Sequence, residues 1–326
     1  MLRAYGPGCD GSCVEAKSTK IPDGATWIDL EEPTHEEEQL VERCLGVAVP
    51  TRDDLAEIEP SSRLFQKNGT LYMTMSTLVG VEDGAPSSTP IGFVLSRNRL
   101  VTIRYATPKP VRIFGDRALQ DPELVADSLV ALHGLLDAIV DRLADELEGV
   151  GAEIERISDH IFRRQTTRDR RRSIPADRLE ALLVRIGRAQ GLLAQVRETA
   201  ISGHRLISFL VGSKRLRDAP AQRDDVLSLA SDVSSLVDHS GLLAGNLTFL
   251  LEASLGLISI EQNAIIKIFS VAAVIFLPPT LVGTIYGMNF DHMPELSWLY
   301  GYPVALTAMV ASAILPYLFF KRRGWL

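Results

Sequence analysis

The sequence predicts an α+β cytosolic domain, a small sheet with covering helices, followed by a long stalk helix and two C-terminal transmembrane helices. Strand-like runs separated by turns lie between Trp27 and Tyr105. After Pro122 the strand signals stop and helical periodicity takes over. Segments 268–285 and 303–320 carry no charged side chain. Each would form about 27 Å of helix, close to the roughly 30 Å hydrocarbon core of a bilayer.

Residues 1–122 are predicted to form the cytosolic N-terminal α/β domain. Its first 20 residues are rich in glycine and polar side chains, so they read as a flexible leader without a secretory signal. Pro33 and Thr34 open an acidic helix that Gly46 ends. Turns at Asn68-Gly69 and around Asn98 predict two strand pairs. The predicted strands are Trp27 to Leu30, Leu64 to Lys67, Leu71 to Val79, Ile91 to Leu95, and Leu100 to Arg104.

Residues 123–223 are predicted to be a cytosolic region of long helices, one from Leu124 to about Phe162 and another from about Pro175 to Val211. The basic cluster from Arg163 to Arg172 between them has no interleaved aromatic residues, which favours a solvated connection over a nucleic-acid site. Residues 224–286 are predicted to be a stalk helix that continues into the first transmembrane helix. No nucleic-acid partner is expected.

The ends of the two apolar segments predict their orientation in an inner or plasma membrane. Residues 287–301 form the predicted external loop, 302–320 the second transmembrane helix and 321–326 a basic tail. Lys267 precedes the first span and Lys321 to Arg323 follow the second, whereas the loop carries no lysine or arginine. Positive charge accumulates on the cytoplasmic side, so both termini are expected there. A buried hairpin in a soluble protein is disfavoured because such helices usually carry a polar face.

Several chemistries find no support in the sequence. Cys9, Cys13 and Cys44 do not have the spacing of a closed zinc site, which favours ordinary reduced thiols. No phosphate-binding loop, nucleophile elbow, zinc-protease motif or dinucleotide glycine fingerprint is present. We therefore expect neither an enzyme, nor an organic cofactor, nor a pump driven by ATP.

The tripeptide Gly287-Met288-Asn289 at the outer end of the first span is the most informative motif. Alone, it could be a simple helix stop, because glycine ends helices routinely. Its setting after an apolar span and before an acidic loop makes it more specific, and here the chain resembles the CorA family. Neighbouring sequence segments resemble the family as well: Glu261-Gln262-Asn263, Phe276 to Thr280, Met293 to Leu296, Gly301-Tyr302-Pro303 and the ending Trp325-Leu326. Close resemblance covers about the last 70 residues, and agreement upstream is looser.

This resemblance implies a funnel-shaped homopentamer in the lipid bilayer that works as a gated, passive channel for Mg²⁺. It also implies passage of Co²⁺ and possibly Ni²⁺, and regulation of gating by intracellular Mg²⁺. The resemblance leaves open a Zn²⁺ transporter of the same superfamily. From a different class, a membrane-anchored metal-sensing scaffold is the remaining alternative, although a tether needs neither a polar face nor the Gly-Met-Asn motif.

A filter for a hydrated ion suits the residues present. Mg²⁺ loses its water reluctantly, and the first span offers no carboxylate cage. Asn289 could accept hydrogen bonds from coordinated water as an outer-sphere ligand, and Gly287 allows close approach of the backbone. Met288 is expected to pack the helix end, because a thioether is a poor Mg²⁺ ligand. Asp291 and Glu295 either attract cations to the outer mouth or are ordinary interfacial charges.

One face of the first span is the predicted pore lining, because a single helix cannot enclose a pore and several copies must contribute one each. Its members are mostly small or weakly polar and recur at steps of three and four: Asn263, Ile266, Ser270, Ala273, Leu277, Thr280, Thr284 and Gly287. In the family's pentamer Asn263 would be the polar inner mouth and Leu277 a narrow apolar ring. Helix packing is the alternative, since small residues also favour close contact between membrane helices.

Overall fold

The computed structural model describes residues 1–9, 11–15, 18, 20–57, 59–162, 176–289, 294 and 298–323. These residues fall into two compact units, Met1–Arg164 with Leu182–Leu250, and Gln165–Ala181 with Leu251–Leu326. The fold class agrees with the prediction: an α/β part, long helices and two apolar C-terminal helices. The division of the chain into six functional segments stays a prediction.

A six-stranded mixed sheet organises the first unit, in the order β1-β2-β6-β5-β4-β3. Strands β2 and β6 pair in parallel and all other neighbours pair antiparallel. Both predicted hairpins are present, with Asn68 and Gly69 at positive φ in the first turn. The strands are β1 Leu2–Tyr5, β2 Trp27–Glu31, β3 Leu64–Lys67, β4 Thr70–Val79, β5 Ser87–Leu95 and β6 Leu100–Arg104.

Strand β1 corrects the prediction of a flexible leader. Leu2–Tyr5 pairs along its whole length with β2, and Arg3 forms an isolated bridge with Cys13. Leu2, Ala4 and Tyr5 are buried, so sheet pairing and core contacts hold this segment in place. Four residues are too few to show a period, and the glycines that follow concealed the strand.

Helices cover both faces of the sheet. On one face Trp27, Met73 and Phe93 share a core with residues of α4 (Lys109–Gln120), α5 (Ser128–Phe162), α6 (Ala176–Gly212) and the first part of α8 (Pro220–Tyr286). On the other face Ile28 and Ile103 pack with residues of α1 (His35–Leu45) and α2 (Arg52–Ala56). This two-sided burial leaves β2, β4 and β6 buried at nearly every position.

The helices that the sequence predicted begin and end close to the positions expected for them. Thr34 caps α1 through a capping box with Glu37, and Gly46 ends it with φ of 65°. Pro278 and Pro279 lie inside α8, which continues through them to Tyr286. The helices are α1 His35–Leu45, α2 Arg52–Ala56, α3 Pro60–Arg63, α4 Lys109–Gln120, α5 Ser128–Phe162, α6 Ala176–Gly212, α7 Lys214–Arg217, α8 Pro220–Tyr286 and α9 Gly301–Arg322, with a 3-10 turn at Pro122–Val125.

A buried polar network joins the parallel strands β2 and β6. Arg104 Nη2 lies 2.8 Å from Asp29 Oδ2, and both side chains are 3% exposed. Arg104 Nη1 donates to Glu31 Oε1 at 2.8 Å, and Thr102 Oγ1 donates to Asp29 Oδ1 at 2.7 Å. Burial raises the pKa of Glu31, but hydrogen bonds from Arg104 and Thr107 and the charge of Arg104 outweigh it and hold that pKa below its ordinary value. The buried Arg104 guanidinium on β6 is thus paired with carboxylates on β2, and Asp29 on β2 also accepts a hydrogen bond from Thr102 on β6.

Candidate functional site

The Gly-Met-Asn motif begins where α8 ends. The Gly287 N–H donates to Gly283 O at 3.0 Å and to Thr284 O at 3.2 Å, and the Met288 N–H donates to Ile285 O at 3.3 Å. A Cβ at position 287 would lie 3.2 Å from Gly283 O, closer than ordinary van der Waals contact. Glycine therefore allows the helix to end tightly here.

Asn289 and Met288 are both solvent-exposed in the single chain, Met288 by 43%. Within the described residues the Asn289 carboxamide has no hydrogen-bond partner, so its oxygen is available to accept. Asp291 and Glu295, the predicted charges of the outer loop, lie outside the described residues.

Every residue of the predicted pore face is exposed in the single chain. Leu277 is 65% exposed and Ile266 is 61% exposed. The other six positions, Asn263, Ser270, Ala273, Thr280, Thr284 and Gly287, are exposed as well. This face of the first span is therefore not buried by the rest of its own chain.

A close approach between α8 and α9 lies near the outer end of the first span. Val271 is 4% exposed, and Gly283 approaches α9 so closely that a Cβ there would lie 3.3 Å from Met309 Cε. On α9 the buried positions are Gly301 and Ala305. At 3.6 residues per turn, Gly283 is turned about 100° from Thr284 and about 60° from Thr280 of the predicted pore face. The close approach to Met309 is therefore made by a residue beside the predicted pore face and not by a member of it.

Two threonine hydroxyls on this face are oriented by the helix itself. Thr280 Oγ1 donates to Phe276 O and Thr284 Oγ1 donates to Thr280 O, each at 2.8 Å. With the hydroxyl hydrogen engaged by the backbone, each oxygen keeps its lone pairs for an outside donor. Water coordinated to a cation is such a donor, so these positions can hold a hydrated ion without replacing its water.

The first unit carries acidic residues that repel one another. On α5, Asp137, Asp141 and Asp145 recur every four residues, on one side of the helix. Burial raises the pKa of Asp141, and the charges of Asp137, Asp145 and Asp232 raise it further against the lowering effect of Arg117. Among the described residues, no group of three or more His, Cys, Asp or Glu is close enough to hold a metal ion, and the three cysteines form no disulfide.

Sequence reasoning did not identify the packing face of α8 or the acidic row of α5. Gly283 could have indicated the first, because small residues also line contacts between membrane helices. Asp137, Asp141 and Asp145 could have indicated the second by their four-residue spacing, but their proximity to Asp232 depends on how α8 packs against α5.

Comparison with known proteins places these features in a family. Residues 22–322 match the family described as CorA-like Mg²⁺ transporter protein. The magnesium transport protein CorA of Escherichia coli K12 is 35% identical over 303 residues, covering 93% of this chain and 92% of that protein. That of Yersinia pseudotuberculosis is 34% identical over 300 residues, covering 92% of each. The CorA magnesium transporter from Methanocaldococcus jannaschii has a similar fold, with a TM-score of 0.76 and 21% identity over 100% of this chain and 98% of that one.

Proposed function

Since the chain belongs to the CorA-like Mg²⁺ transporter family, we propose that it forms a homopentameric, gated channel that passes Mg²⁺ across the inner or plasma membrane. The observation that carries this proposal is the exposure of the predicted pore face of α8, none of whose eight positions is buried in the single chain. Two candidate spans, each with only 6% of the apolar window buried, support a membrane location. Both termini would lie in the cytoplasm, as the flanking lysines and arginines indicate.

Selection would act on the hydrated ion. Five Asn289 carboxamides around one axis would present a ring of oxygens to the waters of Mg²⁺, and the absence of a side chain at Gly287 would leave room for them. Below this ring, Thr284 and Thr280 would continue the same acceptor chemistry. The ion would then pass without the large cost of stripping its inner water shell.

The membrane potential would drive the flux. Moving one charge through 100 mV is worth about 2.3 kcal/mol, so a dication gains about 4.6 kcal/mol per 100 mV. An inside-negative potential therefore suffices for uptake without a chemical fuel, as expected for a passive channel.

Uptake into proteoliposomes tests both the activity and the ion preference. Under an inside-negative potential we expect Mg²⁺ to enter, with Co²⁺ and possibly Ni²⁺ as further cargo. Uptake of Zn²⁺ in strong preference to Mg²⁺ would instead favour the zinc-transport alternative. A protein that moves none of these ions while still assembling would favour the membrane-anchored scaffold.

Leu277 gives the first variant prediction, because an apolar ring in a narrow pore excludes water and so blocks ions. Leu277→Ser should raise basal Mg²⁺ flux and weaken its suppression by internal Mg²⁺, measured as initial uptake rates in proteoliposomes. Leu315→Ser is the matched control, because Leu315 is 68% exposed but lies on α9. Unchanged flux and unchanged Mg²⁺ inhibition in Leu277→Ser would rule this residue out as the gate.

Regulation by intracellular Mg²⁺ is proposed from the charge of the cytosolic region. Residues 261–326 hold four lysines and arginines and three carboxylates, a net of +1, and the whole chain is −7, so residues 1–260 carry −8. Five such regions would bring about 40 negative charges together, and self-repulsion of that size loosens an assembly. Within one chain, burial raises the pKa of Asp141 and repulsion by neighbouring carboxylates raises it further. Divalent ions between subunits would relieve the repulsion and hold the closed state.

The corresponding prediction concerns the detergent-solubilised oligomer. Millimolar Mg²⁺ should raise its thermal stability and its resistance to protease, because bound dications favour the packed ring by mass action. A monovalent salt at matched ionic strength should protect less. Equal protection by both salts would reduce the effect to screening and would contradict specific regulatory binding.

A further inference from the structure

A basic cleft lies at one end of the sheet, on the first unit. It has a volume of about 850 Å³ and is lined by the β3–β4 turn, the β5–β6 turn, the end of α1 and the helix α7. Four of its lining side chains are cations, Arg97, Arg99, Lys214 and Arg215, and one is a carboxylate, Asp218. In a region with a net charge of −8, this concentration of positive charge is unusual.

The cations of this basic cleft are positioned by neutral groups. Arg215 Nη2 donates to Arg97 O at 2.6 Å and to Ser128 Oγ at 3.4 Å, while Arg99 Nη2 lies 3.4 Å from Pro22 O. Ser96 fixes the intervening turn, because its hydroxyl donates to Arg99 O at 2.9 Å. Backbone carbonyls and a hydroxyl orient these guanidinium groups without neutralising them, so Arg99 and Arg215 keep their positive charge beside the cleft.

No carboxylate within the described residues forms an ion pair with these cations, although Asp218 lines the same cleft. Among the ion pairs of the described residues, none involves Arg97, Arg99, Lys214, Arg215 or Asp218. Arg215 Nε is also buried without a hydrogen-bond partner in the described chain. A buried N–H that lacks an acceptor is costly, and turning the half-buried Arg215 side chain towards a bound anion would supply one.

We propose that this basic cleft binds a small anion with two or more phosphate groups, of the nucleoside di- or triphosphate class. Guanidinium groups bind phosphate oxygens through paired, charge-assisted hydrogen bonds, and a cleft of one sign concentrates such an anion. The volume falls in the range of about 300–1,000 Å³ that is usual for small-molecule sites. No aromatic side chain lines the cleft for base stacking, so the phosphates carry recognition and a nucleic acid is disfavoured.

This site differs from a hydrolytic nucleotide site and is independent of ion conduction. The sequence contains no phosphate-binding loop, so binding without turnover is expected. Nucleoside triphosphates bind Mg²⁺ through their phosphates. If the metal-free nucleotide occupied the cleft, the occupancy would rise as the fraction of nucleotide without Mg²⁺ rises. A Mg²⁺ transporter could in this way respond to a shortage of Mg²⁺.

Equilibrium binding of metal-free ATP to the full-length, detergent-solubilised protein tests the proposal. We expect saturable binding that weakens with added salt, with GTP equal to ATP and with AMP, orthophosphate and citrate at least about tenfold weaker. Arg97→Gln and Lys214→Gln should each weaken ATP binding by about tenfold, because each removes an exposed cation from the cleft. Arg217→Gln is the control, since Arg217 is an exposed cation on the same helix α7 that does not line the cleft.

Three results would overturn the proposal. They are the lack of saturable ATP binding at millimolar concentration, equal binding of AMP, orthophosphate or citrate, and equal effects of Arg217→Gln and Lys214→Gln. Thermal unfolding of each variant shows whether the fold is intact. Both cleft substitutions are at exposed side chains, so unfolding temperatures close to that of the unmodified protein are expected.

Discussion

Asn289→Ala is expected to reduce Mg²⁺ uptake to the background of protein-free liposomes while the oligomer stays intact. The carboxamide oxygen is proposed to hold a water of the hydrated ion at the external entrance, and alanine offers no acceptor in its place. Because all subunits change together, the ring would lose every such oxygen at once. Initial uptake rates in proteoliposomes, with the oligomeric state measured in parallel, check this expectation.

Asn246→Ala provides the matched control for this experiment. Asn246 is an exposed asparagine on the same helix α8, far along the chain from the Gly-Met-Asn motif. Its replacement should leave uptake close to that of the unmodified protein. Wild-type flux from a correctly assembled Asn289→Ala oligomer would mean that the filter lies elsewhere.

Arg104→Met is expected to give the largest loss of stability among the variants considered. Methionine fills similar space but leaves Asp29, which is 2% exposed, without its counter-charge. Breaking a buried pair by removing one partner costs about 3–5 kcal/mol. The thermal unfolding temperature of the detergent-solubilised protein should fall accordingly.

Two further variants separate the buried charge from the mere loss of an arginine. Arg43→Met removes an exposed arginine of α1 and should change stability by no more than about 0.5 kcal/mol. Asp29→Asn added to Arg104→Met should recover part of the loss, because the uncompensated charge is removed. Equal stability of Arg104→Met and Arg43→Met would contradict this account.

Acid should weaken the same network. The pKa of Glu31 is lower in the folded protein than its ordinary value. The stabilisation from this carboxylate is therefore complete above the ordinary pKa and is lost as the pH falls through the lowered one.

Local signals in the sequence were sufficient for most elements. Thr34 and Gly46 marked both ends of α1 because capping and the left-handed conformation depend on neighbouring residues alone. Asn68-Gly69 likewise identified its hairpin. The apolar length of the two spans was equally clear, because a bilayer imposes it on each helix separately.

Features that depend on distant residues could not be predicted in this way. The parallel pairing of β2 with β6 joins Asp29 to Thr102 and Glu31 to Arg104, and no local pattern specifies which strand lies beside β2. The basic cleft was not predicted for the same reason, because Arg97 in the β5–β6 turn and Lys214 in α7 are more than 100 residues apart. For the candidate pore, the sequence predicted which face would line it, but not which face of α8 would contact α9.

The backbone-bonded hydroxyls of Thr280 and Thr284 would discriminate between anions and cations in a pore. With their hydrogens directed at helix carbonyls, they offer chloride no donor, whereas a freely rotating hydroxyl could turn to solvate either sign of charge. A pore lining of this kind would exclude anions although it carries no fixed negative charge. It would also bind a dication less tightly than a carboxylate would. The ion would therefore stay at each position only briefly, and turnover would be fast.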